Sequence, residues 1–579
     1  QAKKWGFSDI QLAYLLRTTE DDVRATRLKK EIQSSYVAIE PVGLGVEQSS
    51  YLFSTYSPKG TPEIKKNPKV MIIGSGATRI GQGAEYDYCI AHAARAVIES
   101  DYVSMIVNCN PSAVSTDPAN SDLLYFEPLV KEDIVNIISR EEPTAAIVQF
   151  SGRAAHTLVN LLQKSGIKIL GTPSASYEHS GNWGLVREML NKLNLPFPGS
   201  GTAVDIKGAI EVAAQIGYPM IIRPSFAMEN PLKIIYDAQD LKGYVADVKG
   251  IVPNNPLLME KFLDDAIGVV VDCVYDGKEL VICGIVEQIE EAGINPSDCA
   301  CVIPPYSIGE SFIAKIKANT RLLAEELQIK GLLNVQYAIK HDSLFLLRVS
   351  PQVDPLLPFI SKATGVDWIA AATRIMLGNS IQEQGLREVT PSHITVKEAV
   401  FSFDRFPGID TVLGPEMRSS GAVMGIDVNF GMAFIKSQLA AGEKIPSGGR
   451  VFLSIRDEDR RLFISIVRQL IDLGFTIMAV EETATALNRN NLTCQTVFNV
   501  GEGRPNIVDK IKNGEIDWII SITAGRKTRL DEVQVRSTAV QRGIPITTTV
   551  SAAQVAVMGL TQYLHHPVGF KSLAEYYQK

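Results

Sequence analysis

Short hydrophobic runs recur in the first third of the chain, and each ends in small or polar residues. Val70–Ile73 leads into Gly74-Ser75-Gly76, Met105–Val107 ends at Asn108, and a third run covers Ala145–Val148. Buried-strand runs of this kind, separated by helix-length stretches, predict β-α-β units and a parallel sheet. In such sheets the loops at the carboxyl ends of the strands form the binding crevice.

The same pattern returns at the end of the chain, after a longer mixed α+β region between Gly181 and Gly378. Four further strands are predicted there, at 451–455, 476–480, 518–521 and 545–548. They indicate a terminal α/β domain of about 130 residues, which is within the usual size range.

The beginning of the chain is different. Ile10, Leu12, Leu15 and Leu16 share helical spacing, and residues 18–22 are typical of a helix N-cap followed by acidic residues. The helical pattern is already under way at residue 1, which is not methionine. We interpret this as a truncated, processed or split chain. A stretch rich in Pro, Gly and Lys then predicts a linker.

Composition narrows the class of protein. Of the 579 residues, 45% are hydrophobic and 21% are charged. This predicts several domains and excludes a disordered, collagen-like or membrane-embedded chain. With a net charge of −7 and no bilayer-length apolar run, we expect neither nucleic-acid binding nor membrane insertion. Seven cysteines without a CxxC pair favour a reducing, intracellular compartment, either cytoplasm or organelle matrix. The seven histidines have no metal-ligand spacing.

A glycine-rich loop, GSGATRIGQG at 74–83, follows a strand and opens a helix. Its backbone amides are expected to approach an anion at the helix N-terminus. A simple turn is an equally good interpretation, and the spacing is not that of dinucleotide sites. The neighbouring motifs are more specific: GQGAEYDYC at 81–89, NCNP at 108–111, VSTD at 114–117 and LYFEP at 124–128.

In this order and spacing, the motifs resemble the C-terminal half of the carbamoyl-phosphate synthetase large chain. Further matches cover nearly the whole chain, at 223–226, 262–266, 334–336, 358–365, 413–419 and 501–505. In the family, this half phosphorylates carbamate with MgATP to give carbamoyl phosphate. The N-terminal half makes the carbamate, and a separate glutaminase supplies ammonia. Neither of those parts has a counterpart in this sequence.

The resemblance implies an α/β architecture of several units. They are the tail of a helical oligomerisation domain (1–56), a linker (57–68), a Rossmann-like pre-ATP-grasp domain (69–180), an ATP-grasp α+β domain with a closing helical region (181–440) and a methylglyoxal-synthase-like regulatory domain (441–579).

The metal-binding strand departs from the family pattern. Where the family has Glu-Val-Asn-Pro-Arg, this sequence has Arg348-Val349-Ser350-Pro351-Gln352. The resemblance implies that Arg348 replaces a metal-bridging Glu, Ser350 an Asn ligand and Gln352 a phosphate-facing Arg. Gln336 matches the remaining ligand, but one amide oxygen cannot hold Mg²⁺ alone. Like charges about 4 Å apart repel by about 4 kcal/mol at an effective dielectric constant of about 20. The guanidinium is therefore expected to exclude the ion unless it swings away.

Other catalytic and nucleotide positions implied by the resemblance are replaced too. The replaced positions are Trp183 for an ATP-contacting Arg, Gly268 for the ribose-binding carboxylate, Gln288 for a His, and Asn295 at the start of a His-Ser-Gly-Asp-Ser stretch. In the loop that covers the phosphates, Glu229 would repel triphosphate and Pro231 lacks an N–H. Arg223, Glu260 and Leu263 are retained, and they mostly shape the pocket.

The regulatory domain shows a similar loss. The resemblance implies a phosphate pocket for nucleotide effectors, helped by a Thr and a Lys, and these positions read Val480 and Asn499. The effector-phosphate candidates that remain are Thr483, Thr523, Arg526 and Lys527. Surface ion pairs are an equally good interpretation of the two cations. Effector binding is expected to be weakened, not lost.

The strands, turns and caps are intact while both pockets are eroded. The leading hypothesis is therefore a catalytically degenerate, structural or regulatory subunit of a larger assembly, without a cofactor. Its partners would be the N-terminal synthetase half, a larger complex, or a second copy of the chain. Two alternatives stay open. One is an active half that uses MgATP together with a separate N-terminal half and glutaminase. The other is a non-catalytic nucleotide sensor that keeps Glu260 and Leu263.

Overall fold

The computed structural model describes residues 1–39, 51–57, 64, 68–78, 80–224, 233–247, 256–406, 408–522 and 526–577. Within these ranges the strands form four sheets, and helices pack on their faces. No helix in this part of the chain is both long and apolar enough to cross a bilayer.

The first sheet contains the three hydrophobic runs predicted from the sequence. Its strands are β1 (Ser35–Ile39), β2 (Tyr51–Thr55), β3 (Lys69–Ile73), β4 (Val103–Asn108), β5 (Leu123–Phe126), β6 (Ala145–Ile147) and β7 (Lys168–Ile169). They lie in the order β1-β2-β5-β4-β3-β6-β7 and are parallel except for the β1–β2 pair. The helices are α1 (Asp9–Leu16), α2 (Glu20–Lys29), α3 (Ile80–Ile98), α4 (Lys131–Glu141), α5 (Gly152–Lys164) and α6 (Ser174–Gly181). β3, β4 and β6 are buried along their whole length, as continuous apolar runs require.

The prediction of a helical segment over residues 1–56 needs correction. It holds for α1 and α2, and Thr19 is the N-cap of α2, as predicted. Beyond them, Tyr36 and Leu52 are buried in β1 and β2, which extend the first sheet. Short aromatic and β-branched runs are typical of strands and were the sequence signal for them. Most of the expected linker at 57–68 lies outside the described residues.

The ATP-grasp region contains two antiparallel sheets. The smaller has the order β10-β9-β11-β8, with β8 (Ser200–Ala203), β9 (Met220–Pro224), β10 (Lys233–Ile235), β11 (Leu257–Lys261), α7 (Trp183–Lys192), α8 (Ile206–Ile216) and α9 (Ala238–Asp247). The larger has the order β16-β15-β12-β13-β14-β17-β18. Its elements are β12 (Ile267–Tyr275), β13 (Leu280–Glu291), β14 (Cys301–Ile303), β15 (Gly331–Lys340), β16 (Ser343–Ser350), β17 (Ile394–Val400), β18 (Gly421–Asp427), α10 (Glu310–Glu326), α11 (Leu357–Thr364), α12 (Trp368–Leu377) and α13 (Phe430–Ala441).

The last sheet is parallel, with the order β21-β20-β19-β22-β23. Its elements are β19 (Gly449–Ile455), β20 (Phe475–Ala479), β21 (Cys494–Thr496), β22 (Trp518–Ile522), β23 (Ile546–Thr547), α14 (Arg460–Asp472), α15 (Glu481–Arg489), α16 (Ile507–Lys512), α17 (Arg526–Arg542), α18 (Val550–Tyr563) and α19 (Leu573–Tyr577). The predicted α/β fold class is confirmed.

One hydrophobic cluster joins the first sheet to the large antiparallel sheet. It contains Ile72 of β3, Ile90 of α3, Val270 of β12 and Trp368 of α12, all buried. Because α3 packs into this shared core, the helix that follows the glycine-rich loop is held close to the large sheet.

Candidate functional site

The pairing of three strands brings several predicted site residues onto one face of the large sheet. Gln336 of β15 lies opposite Arg348 of β16, and Asn334 lies opposite Ser350. Gly268 of β12 lies opposite Ala338, two positions beyond Gln336 in β15. Because side chains alternate along a strand, these positions share a face. We call it the cleft face.

Arg348 stands on the cleft face with its side chain exposed. It makes no hydrogen bond or salt bridge to any residue that the structure describes. Burial raises the pKa of Asp354, while the Leu356 amide and the Arg348 guanidinium oppose that shift. Burial also raises the pKa of Tyr86 to about 12, and Arg348 again opposes the shift. Since Tyr86 belongs to α3, the guanidinium lies where this helix approaches the sheet.

The polar groups around Arg348 are engaged with one another or resist ionisation. The Gln336 amide is hydrogen-bonded to Asp354, and Asn334 Nδ2 donates to Asp272 Oδ1 at 3.1 Å. Burial and the nearby Asp354 carboxyl raise the pKa of Asp272 well above its usual range. No group of three or more His, Cys, Asp or Glu residues in the described part of the chain could hold a metal ion. A cation beside carboxyls that resist ionisation is a poor match to the oxygen ligands that Mg²⁺ prefers.

Gly268 and Gln288 are coupled by packing, which the sequence did not reveal. A Cβ on Gly268 would lie 1.6 Å from Gln288 Oε1 and 2.6 Å from its Cδ. Gln288 is buried, and its Nε2 donates to Cys299 Sγ at 3.6 Å. The amide of Gln288 thus fills the space in which a side chain at position 268 would begin.

The retained nucleotide candidates lie in two places. In the small sheet, Arg223 Nη2 donates to Glu260 Oε2 at 3.4 Å, and burial raises the pKa of Glu260 while Arg223 opposes it. Leu263 packs with Ala338, which lies on the cleft face. Trp183 is not brought to this face. Its ring packs on the cluster of Val186 and other residues on the opposite side of the sheet, and its Nε1 has no hydrogen-bond partner among the described residues.

The predicted loop positions Glu229 and Pro231 lie outside the described residues. Ser350 and Gln352 are both buried at the end of β16. They therefore offer little side-chain surface to a ligand in the cleft.

Hydrogen bonds hold the altered stretch at Asn295 to the segment 415–419. Asn295 Nδ2 donates to the Pro415 carbonyl at 3.2 Å, and Asp298 accepts from the amides of Arg418 and Ser419 at 2.7 and 2.9 Å. The buried Lys397 donates to three carbonyls of the same stretch. The sequence did not indicate the structural role of Lys397 and Asp298, because that role depends on the backbone groups they bind.

Two amides at the start of the glycine-rich loop are hydrogen-bonded within the domain. Gly74 N donates to the Val107 carbonyl at 2.7 Å, and Gly76 N donates to Asn108 Oδ1 at 3.1 Å. These two amides are used inside the domain and are not free for an anion. Gly81 serves packing, because a Cβ there would lie 2.5 Å from the Ser419 carbonyl oxygen.

Glu85 of α3 is a further titratable group near the cleft face. Burial raises its pKa to about 7, Lys397 opposes the shift, and Asp354 and Asp298 add to it. Its Oε2 is buried without a hydrogen-bond partner in the described part of the structure. The sequence motif contained Glu85, but nothing in the motif indicated burial.

In the regulatory domain, the candidates are mostly engaged in the fold. The buried Thr483 Oγ1 accepts from Ile455 N at 3.3 Å and lies 3.4 Å from the Ile455 carbonyl. Asn499 Oδ1 accepts from Val500 N at 2.9 Å. Val480 precedes α15 without a side-chain cap. Thr523 lies outside the described residues, and Arg526 and Lys527 begin α17, where their side chains are not described.

A cavity of about 290 Å³ adjoins Thr483. Its walls are largely apolar side chains of β19, α14 and α15, and besides Thr483 the polar lining residues are Asp457, Arg460, Arg461 and Asn490.

Three family models match the chain in sequence order. The carbamoyl phosphate synthase preATP-grasp domain matches residues 66–179, and the carbamoyl-phosphate synthase L chain ATP binding domain matches 184–384. The MGS-like domain matches 462–548. The three models thus follow the order of the sheets.

Curated relatives match over the whole chain. The carbamoyl phosphate synthase large chain of Archaeoglobus fulgidus is 40% identical over 583 residues, covering 100% of this chain and 54% of the relative. That of Methanothermobacter thermautotrophicus is 42% identical, covering 100% of this chain and 55% of the relative. The chain therefore spans about half the length of these relatives, and it corresponds to their C-terminal half.

Solved structures agree with the ATP-grasp fold. An N5-carboxyaminoimidazole ribonucleotide synthetase in complex with ADP has a TM-score of 0.51 at 15% identity, covering 64% of this chain and 96% of that one. The biotin carboxylase domain of Hydrogenobacter thermophilus 2-oxoglutarate carboxylase also has a TM-score of 0.51 at 15% identity, covering 65% and 90%. At this identity the likeness concerns the fold alone.

Proposed function

The chain belongs to the carbamoyl phosphate synthase large-chain family, and we propose that it is a C-terminal half without phosphoryl transfer, acting as a structural or regulatory subunit. Arg348 is the observation that carries this proposal. It stands opposite Gln336 on the cleft face, where the family resemblance requires a metal-bridging carboxylate.

Phosphoryl transfer depends on metal ions and positioned cations that neutralise the transferred group. Arg348 has the wrong sign for a metal ligand, and Gln288 fills the ribose side of the cleft at Gly268. The altered positions therefore concern the metal site and the space beside Gly268. Glu260 and Leu263 retain the pocket shape, which supports binding without turnover as the second candidate.

An ATP-formation assay, with ATP hydrolysis measured beside it, tests the proposal. Given carbamoyl phosphate, ADP and Mg²⁺, the chain is expected to make no ATP. Given ATP and Mg²⁺, it is expected to show no ATP hydrolysis that bicarbonate stimulates. The large chain of the Archaeoglobus fulgidus relative, assayed in parallel, is the positive control. Magnesium-dependent ATP formation by this chain would instead support an active synthetase half that needs a separate N-terminal half and glutaminase.

A partner is proposed because the relatives are about twice as long. The surface of α1 supports this. Tyr14 and Leu16 are 85% and 68% exposed, and Trp5 beside the helix is 69% exposed. The opposite side of α1 is held firmly, since Arg27 Nε contacts Asp9 Oδ2 at 2.8 Å in a buried ion pair. A rigid helix with an apolar outer face is typical of a protein interface.

We propose that this face docks a polypeptide equivalent to the relatives' other half. Sedimentation of the chain mixed with that half of the Archaeoglobus fulgidus protein checks the proposal, and sedimentation of the chain alone measures self-association. The compartment we propose is intracellular and reducing. All seven cysteines are unpaired, and six of them are buried, which supports this.

A further inference from the structure

We infer that the cleft face binds the phosphate groups of a nucleotide that carries no divalent metal, with Arg348 as the phosphate ligand. This inference rests on the proposed loss of the metal site and gives the remaining pocket a ligand class. The guanidinium then occupies the position of the metal as the counter-charge of the phosphates.

The first support is the state of Arg348 itself. Its side chain is exposed and makes no hydrogen bond or salt bridge to a residue in the described ranges. Gln336, directly opposite, is instead hydrogen-bonded to Asp354. No residue in the described ranges occupies the N–H donors of Arg348, which leaves them to a ligand.

The second support is the chemistry of the guanidinium. Its planar array of N–H donors matches the oxygens of a phosphate in a bidentate arrangement. A phosphate already bound to Mg²⁺ has fewer free oxygens and less negative charge. In addition, Mg²⁺ on the neighbouring oxygens would be repelled by the guanidinium. The site should thus prefer free ATP to MgATP.

The third support is the position of the residue in the fold. Arg348 influences groups on two elements, Asp354 after β16 and Tyr86 of α3. It therefore stands where the two units of the shared core meet. On the same face, Leu263 packs on Ala338, and Glu260 lies in the neighbouring sheet. Leu263 and Glu260, which are retained, would contact the base of the nucleotide.

Calorimetric titration of the full chain with ATP, once with excess EDTA and once with excess MgCl₂, tests the inference. We expect binding in EDTA, weaker binding of MgATP by several-fold, and an affinity in EDTA that falls with salt. Arg348→Gln should weaken binding in EDTA by about tenfold or more, the loss typical of a hydrogen bond to a charged group. Arg321→Gln, an exposed change on α10 at the other side of the sheet, should leave it unchanged.

Three results would overturn the inference: no ATP binding in EDTA, binding only with Mg²⁺, or equal affinities of wild type and Arg348→Gln. Circular dichroism of Arg348→Gln and Arg321→Gln shows whether the fold is kept. Arg348→Lys keeps the charge without the bidentate donors, so it should give an intermediate affinity. These results are separate from those of the ATP-formation assay. Loss of metal-free binding without turnover overturns this inference alone, whereas magnesium-dependent turnover overturns the proposed function.

Discussion

Restoring a side chain at position 268 should be possible only together with a change at Gln288. In Gly268→Ala, the new Cβ would lie 1.6 Å from Gln288 Oε1 and 3.2 Å from its Cγ. The amide would have to move by about 1.5 Å to reach a normal carbon–oxygen contact. Gln288 is buried and donates to Cys299, so this movement breaks its packing. Overpacking of this kind costs about 1–3 kcal/mol.

A double-mutant cycle measures this cost. Gly268→Ala alone should lower the melting temperature by about 2–4 °C for each kcal/mol, as for a domain of roughly 200 residues. Gln288→Ala removes the atoms that the new Cβ meets, so the double variant should be more stable than the sum of the single effects predicts, by about 1–3 kcal/mol. Gly243→Ala is the matched control, because a Cβ there meets nothing within 4 Å.

Two results would show that Gly268 and Gln288 are not in contact. One is a Gly268→Ala variant as stable as the wild type. The other is a double variant whose loss equals the sum of the two single losses. Either result would mean that Gln288 does not occupy the ribose side of the cleft, and the two replacements would then be independent.

Three further predictions follow from the site and the partner surface. Arg348→Glu combined with Ser350→Asn replaces a cation with oxygen ligands, so it should raise the affinity for Mn²⁺ by about tenfold or more. Electron paramagnetic resonance measures this affinity. An unchanged affinity would mean that β16 is not the metal strand. Glu85 has a folded pKa of about 7, above its usual 4.5, so the native state binds the extra proton and stability should fall as pH rises through this window. Glu85→Gln should make the melting temperature less dependent on pH between 5 and 8, and an unchanged slope would show that Glu85 titrates normally. Tyr14→Glu with Leu15→Glu should abolish sedimentation with the partner half. The melting temperature should stay within about 1 °C, since both side chains are exposed. Persistent co-sedimentation would exclude α1 as the docking surface.

Much of the fold was predictable because its central strands are continuous apolar runs. β3, β4 and β6 are buried on both faces, so their sequences show no alternation and are easily recognised. β1 and β2 were missed. They are five-residue, half-buried strands that follow two helices, and their aromatic and β-branched runs are too short to stand out. β1 is the edge of the first sheet, and β2 lies between β1 and β5.

The candidate site was predictable in part. The family resemblance located Arg348 and Gln336, and strand pairing brings them face to face. The contact between Gly268 and Gln288 was not predictable, because it depends on the irregular register between β12 and β13. The position of Trp183 on the opposite side of the sheet likewise depends on how α7 packs. Registers and helix packing are set by tertiary contacts that a single sequence does not display.

Soaking crystals with ATP and Mn²⁺ and recording the anomalous scattering of manganese tests the loss of the metal site most directly. We expect no manganese peak beside β16, and an Arg348 guanidinium that contacts the phosphates. A well-ordered manganese ion coordinated by Gln336 and residues of β16, with the triphosphate bound to it, would contradict this expectation.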